Sequence, residues 1–341
     1  MAGITRESHY VPRRTLKRWS EDGTHVYVYR KLVSHQNVPE WSRISLKSVA
    51  RQTDLYTLFQ GGDDDDAFER WITREYEEPG QDAIEKLLAR TPMTPHDWRC
   101  VAKFVALQQL RTPLHFFETQ ARLKAQVPRI LEEVVARANS TIAAGAELPA
   151  EETTNYLSDV LRISIEDNAE SPGYSRVRTL AKSPRAVWMA TMRHQLTALT
   201  PIICQHRWQA IEPEGDNHWP LADHPVLTLN YSSADQYDFG GGWGNDGTEI
   251  IMPISPRSAV YTQVKRKVQR TALSADQTHQ IQRFMAERAA RLVVATRPIE
   301  WLPREILRRV DRRQVEEERQ GWQRWHQRQA DSERAFDTGS D

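Results

Sequence analysis

The sequence predicts an α+β protein in which a central helical region packs on a mainly antiparallel sheet formed by N-terminal and C-terminal strands. Three patterns carry that expectation. Apolar residues recur at helical spacing through the middle of the chain, about residues 67–200. Short runs rich in β-branched and aromatic residues, bounded by Pro, Gly, Asn and Asp, crowd residues 202–298. A similar run stands near the start, at residues 24–33 (THVYVYRKLV), ahead of the helical middle.

Taken in order, Val11 is near-extended because a proline follows it, and Pro12 suits the first turn of a short helix over residues 12–19. The strand at 24–33 comes next. Gly61, Gly62 and the four aspartates 63–66 predict an exposed loop, because adjacent carboxylates repel and glycines favour turns. Asp64, Asp66 and Glu75 have the spacing of a calcium loop. That reading fails at Phe68 and Glu69, which stand where an oxygen ligand and a turn glycine are needed. A helix is expected from Ala67 to Arg90 with a break near Pro79 and Gly80. Thr94-Pro95 is a helix start, followed at helical spacing by Trp98, Val101, Phe104, Val105 and Leu110. Pro113 interrupts, and helix resumes over about 114–139 with a kink at Pro128. Residues 145–152 read as a linker, 153–168 as a helix, and Ser183-Pro184 opens a helix bearing Trp188, Met192 and Leu196. Strands are predicted at 202–211, 225–229, 249–254, 258–264 and 291–296, with a helix at 275–289. Residues 1–300 thus read as one domain. Residues 301–341 read as a charged helix fraying into a disordered tail from Asp331, with Trp322 and Trp325 on one helical face as a route to a partner or a homo-oligomer.

Composition limits the function classes. Among 341 residues, 46 Lys and Arg balance 46 Asp and Glu, which argues against a histone-like coat on nucleic acid. No uncharged apolar run is long enough to span a bilayer, and the first residues lack the apolar core of a secretory leader. The expectation is a soluble, cytoplasmic protein without a membrane partner. Cys100 and Cys204 are too few for a disulfide framework or a four-thiolate zinc site. The balance hides a local bias. Residues 1–60 hold ten Lys and Arg against five acids, and residues 61–90 hold ten acids against four bases.

Three segments carry polar groups where packing alone would place apolar ones. In the first, His9 and Tyr10 immediately precede a helix amino terminus, whose free amides favour an anion, and Arg13 and Lys17 share one face of that helix. The alternative is a cap with solvated bases. In the second, Gln108, Arg111, His115 and Arg122 follow Phe104 along one stripe; a buried arginine there needs a carboxylate or phosphate partner, and Asp223 or a ligand is the candidate. The third is Leu221-Ala222-Asp223-His224-Pro225-Val226, with Met252 to Arg257 a second strand–turn junction. Gly240 to Gly244 form a glycine-rich loop without the Lys-Ser/Thr ending of a phosphate loop. No His-Glu-x-x-His and no Gly-x-Ser-x-Gly is present, and no ligand cluster calls for a metal.

His9-Tyr10-Val11-Pro12-Arg13 followed by Leu16-Lys17 resembles the opening signature of domain-of-unknown-function family 4238. Asp54-Leu55-Tyr56-Thr57, Phe104 to Pro113, Asp223-His224-Pro225-Val226 and Pro253-Ile254-Ser255-Pro256 match in order, so the resemblance spans roughly residues 8–298. Ser8 stands where a second histidine often precedes the first, Thr15 and Trp19 replace Tyr and Phe, and Leu221-Ala222 replaces Thr-Ser. The resemblance implies a bacterial protein, similar in some members to single-gene anti-phage defence factors, and implies no reaction.

The resulting expectation is a defence effector acting on a phosphate-bearing substrate, foremost as a nuclease. His9 is the acid–base candidate, Gln108 and Asp223 orient the site, and Tyr10, Arg13, Lys17 and Arg111 hold the substrate. The alternatives are a non-enzymatic sensor of a phage protein or nucleotide signal, and an interior polar clamp. Nucleic acid, a nucleotide or a phage protein are the expected partners. No metal is required and no cofactor is indicated.

Overall fold

Two antiparallel sheets organise the molecule, whose computed structural model describes residues 4, 6–144, 157, 159–167, 175–266 and 272–338. The larger has five strands in the order Gln209–Ile211, Ser258–Gln263, Glu249–Ser255, Leu227–Ser233, Gln236–Asp238. Its central strand reads as a continuous apolar run because both faces are covered. Ile250 and Met252 face the helical core, while Ile251 faces the helix Ala275–Arg288 through Ile281, Phe284 and Met285. The smaller sheet orders Leu221–Ala222, Leu292–Ala295, His25–Arg30 and Trp41–Ser45. Val26, Val28, Leu221 and Val294 pack on Leu16 and Trp19, and Tyr29, Ala222 and Val293 pack on Ala286, Leu302 and Ile306. N-terminal and C-terminal strands therefore do combine, and the class is α+β. Most late strands nevertheless form a sheet of their own, since neighbours in sequence close shorter loops than distant strands do.

The helical middle contains several differences from the predicted elements. Helix runs without a break through Ala67–Ile72, a π segment Thr73–Glu77 and Glu78–Leu88. Pro79, lacking an N–H, sits in the first turn of the last piece, and the widened turn before it absorbs the missing bond. Gly80 permits close approach of the next helix: a Cβ there would lie 2.3 Å from Phe104 Cβ. Pro95–Leu110 starts at Thr94, whose hydroxyl and Asp97 form a reciprocal cap. Pro113–Ala143 is helical throughout and passes Pro128 without ending. Pro184–His194 is capped by Ser183 and continues through a π segment to Thr200–Cys204. Only Gln209–Ile211 of the strand predicted at 202–211 is a strand, because Pro201 suits a helical first turn and Ile203 is buried in the helical core. Leu161–Asp167 is a strand paired with Ser175–Ala181, where a helix was expected; its Arg-Ile-Ser-Ile alternates with period two. Leu157, Asp159 and Val160 of that expected helix are turn, and its other residues, with the whole of the expected 145–152 linker, fall outside the described residues.

Two charged segments are also more ordered than expected. Asp63–Asp65 pairs with Leu58–Gln60 as a short hairpin instead of a free loop; Arg6, 2.8 Å from Asp64, offsets the repulsion, and the His326 ring lies 3.0 Å from the same carboxylate. At the C-terminus, helix Arg312–Gln323 is followed by Trp325–Thr338, so the tail expected from Asp331 is helical. The cause is a buried ion pair. Glu333 meets Arg185 at 2.7 Å with neither side chain exposed, and also accepts from Ser183 Oγ and Phe59 N. Trp325 belongs to the main core and donates to the Asp54 carbonyl, so it is not free to dock a second copy.

Candidate functional site

The strand Glu7–His9 pairs with Arg51–Thr53 and hands the chain directly to the five-residue helix Arg13–Lys17. An extended strand sends successive side chains to opposite sides. Ser8 is buried and donates to Glu69 at 2.9 Å. Burial pushes the Glu69 carboxyl up, against the opposing pull of Arg111. His9 is half-buried, with the Val49 carbonyl, Arg13, Arg111 and Glu77 around it. Burial first, then the Arg13 charge, lower its pKa, so the imidazole is neutral at neutral pH. Its Nδ1 is buried without a hydrogen-bond partner. Tyr10 turns elsewhere, into a cavity it shares with Asp223.

Arg111 follows the helix Pro95–Leu110 and is 2% exposed. Its guanidinium pairs with Glu77, donates to the His9 carbonyl at 2.9 Å and lies 5.6 Å from the centre of the Tyr56 ring. The Tyr56 hydroxyl donates in turn to the Arg111 carbonyl. The bonds join four segments distant in sequence, and the charge of Arg111 is already balanced. Gln108, one turn earlier, is fully buried with neither amide atom hydrogen-bonded.

Asp223 also has its partners within the protein. Its carboxylate accepts from the amides of Ala290, Arg291 and Leu292 at 2.7, 2.8 and 3.3 Å. Burial pushes its carboxyl up and those three amides oppose the shift. Next to it, His224 Nδ1 lies 2.6 Å from Thr112 Oγ1, and its Nε2 lies 3.5 Å from Arg288. The three segments singled out in the sequence therefore meet: the first and second through Arg111 and the His9 carbonyl, the second and third through Thr112 and His224.

At this junction lies a cavity of about 470 Å³. Tyr10, Pro113, Leu114 and Asp223 line it from the three segments, and Phe117 and Trp322 add two aromatic faces. Arg51 and Arg291 stand at its edge, paired with the partly exposed carboxylates of Glu7 and Glu318. None of Arg13, Lys17 and Arg111 lines this cavity, although Arg13 and Arg111 both flank His9. Arg13 and Lys17 are exposed on a helix too short for a strong dipole, Lys17 beside Gly23, and neither lines the cavity. His9, Gln108 and Arg111 are not part of the lining, whereas Tyr10 and Asp223 face the cavity.

A model of the family described as protein of unknown function (DUF4238) matches residues 8–298. The chain belongs to this family. Among curated proteins and among solved structures, none matches it. The DUF4238 span contains all three motif segments, and two contributors to the cavity, Glu318 and Trp322, come from beyond it. Sequence reasoning assigned no role to Tyr56, Glu77, Thr112 or His224, and it read Trp322 as part of a docking face, whereas Trp322 lines the cavity. Tyr56 lies in the Asp-Leu-Tyr-Thr segment that matches the DUF4238 pattern. Glu77 gives no sequence signal, because a π segment aims it. Among the described residues, no group of three His, Cys, Asp or Glu could hold a metal ion, and no helix is long and apolar enough to cross a membrane.

Proposed function

We propose that this DUF4238 protein is a bacterial defence protein that binds a nucleotide or a short stretch of nucleic acid in the cavity between Tyr10, Asp223 and Trp322. The lining carries the reading. Tyr10, Phe117 and Trp322 offer flat faces on which a base can stack, and stacking tolerates any base because every base has a π face. Arg51 and Arg291 stand at the edge with partners that water reaches, so an incoming phosphate can take the place of Glu7 or Glu318. The defence setting rests on the family resemblance alone.

Titration of the full chain with mononucleotides and with short single-stranded RNA and DNA tests this. Saturable binding is expected, weakened about tenfold or more by Trp322→Ala, as befits the loss of one stacking face worth about 1–3 kcal/mol. No binding by any of these ligands would remove the proposal.

A nuclease is the second reading, and one observation favours it. His9 is neutral, has an unpaired ring nitrogen and stands beside the Arg13 cation, which suits a general base working near phosphate. Arg111 and Asp223 would then act by positioning, since their bonds are made within the protein. Cleavage of labelled RNA or DNA separates the two readings. A binding protein cleaves neither, whereas a nuclease cleaves and His9→Ala abolishes cleavage with affinity kept within about twofold. In cells under phage challenge, intact nucleic acids with retained protection would exclude the nuclease.

A further inference from the structure

A second cavity, of about 460 Å³, is unused by the reading above. His115, Arg122, Gln195, Phe239, Trp243 and Arg288 are the parts of its lining that matter chemically. The glycine-rich loop forms one wall and is pinned there. Trp243 Nε1 donates to Gln109 Oε1 at 2.7 Å, and the Trp243 carbonyl lies 2.7 Å from His206 Nε2. Gly241 packs so closely that a Cβ would come within 2.5 Å of the Thr248 methyl. The wall is therefore built, and its glycines serve close packing.

The polar groups at this cavity are incompletely satisfied by the protein. Arg288 gives both terminal nitrogens to Glu118, at 2.9 and 3.2 Å, and its Nε is buried without a partner. Arg122 is exposed and makes no hydrogen bond or ion pair among the described residues. Gln195 Oε1, aimed by the π segment Gln195–Leu199, is buried and unpaired. His115 is neutral: Trp188 Nε1 donates to its Nδ1 at 3.1 Å, and Thr119 lies 3.5 Å from its Nε2. Two guanidinium groups, that of Arg288 paired with the Glu118 carboxylate on the same lining, one orphaned acceptor and an apolar flank of Phe239 and Trp243 thus surround one space.

We infer that this cavity is a second ligand site, taking a small organic anion in which a phosphate or carboxylate is joined to an aromatic or apolar body. The oxyanion lies between Arg122 and Arg288, where guanidinium donors match its geometry. The body lies against Phe239 and Trp243, and an N–H or O–H on it donates to Gln195 Oε1. Buried polar groups without partners are costly, so a ligand that pairs them gains both affinity and selectivity.

Calorimetric titration of the full chain with 4-hydroxyphenyl phosphate and 4-hydroxyphenylacetate tests the site and separates phosphate from carboxylate as the preferred head group. Inorganic phosphate and phenol serve as controls. At least one of the two probes is expected to saturate, with both controls weaker by about tenfold. Arg122→Ala is expected to weaken it about tenfold or more, the loss of one charge-assisted contact, and Trp322→Ala to leave it unchanged. Three results overturn the inference: neither probe binding at millimolar concentration, affinity insensitive to Arg122→Ala, or inorganic phosphate binding as tightly as the aryl phosphate. Because Trp322 lines the first cavity and not the second, failure of one site is distinguishable from failure of the other.

Discussion

Arg111 is held by a carboxylate, a backbone carbonyl and an aromatic face, all from different segments. Removing it leaves Glu77 without its charge partner in a mostly dry place. Arg111→Ala is therefore expected to lower unfolding stability by about 3–5 kcal/mol, measured by urea denaturation. Glu77→Gln, which leaves the guanidinium buried with one fewer anion, should also destabilise, and the double variant should cost less than the sum of the two. A loss below about 1 kcal/mol for Arg111→Ala would contradict the clamp. The same logic governs Asp223, whose three amide partners fix the chain at 290–292 beside the cavity. Both residues were legible in the sequence as polar groups in a packed setting. Their partners were not, because a buried charge gives the same sequence signal whether a ligand or a distant carboxylate neutralises it.

At the scale of elements, capping and proline chemistry located helix starts well. Thr94-Pro95 and Ser183-Pro184 open helices as expected, because those side chains satisfy amides that the helix cannot. Ends and interiors were harder to read. Pro79 and Pro128 lie within continuous helix, and two π segments have no composition signal. The C-terminal helix Trp325–Thr338 is the largest difference. Its charges predict solvent exposure, yet Glu333 is wholly buried on Arg185 and Asp337 meets Lys182 at 2.7 Å. This helix and the one before it hold Trp322 over the first cavity. Glu333→Gln should cost about 3–5 kcal/mol by stranding Arg185, and should expose the C-terminal helix to limited proteolysis before the core. Unchanged proteolysis and stability would show that apolar contacts alone hold the helix.

Across the whole molecule, burial sets the response to pH. His9, His115, His218 and His224 all have lowered pKa values, with burial the leading cause, and that of His115 falls to about 4. A folded value below the unfolded one, about 6.5, means that protons bind the unfolded chain more readily. The stability these groups contribute is complete above about pH 6.5 and is lost as pH falls through the folded values. Glu69 and Asp223, raised by burial, act in the opposite sense, from their raised values down to the unfolded carboxylate values of about 4. Thermal midpoints should fall between pH 6.5 and about 4, and His115→Gln should flatten that fall. A variant profile parallel to wild type would show that His115 is not among its causes.

The sequence by itself determined the α+β class, the pairing of early with late strands, the main helix starts and the ordered motifs of DUF4238, because periodicity, capping and proline geometry act over a few residues. Only the tertiary structure decided which polar groups meet. It turned His9 away from Tyr10, matched Arg111 with Glu77, committed Asp223 to backbone amides and brought Trp322 over the cavity. Those outcomes depend on contacts between residues far apart in the chain, where burial and the supply of partners, and not residue type, determine what a charged side chain is free to do.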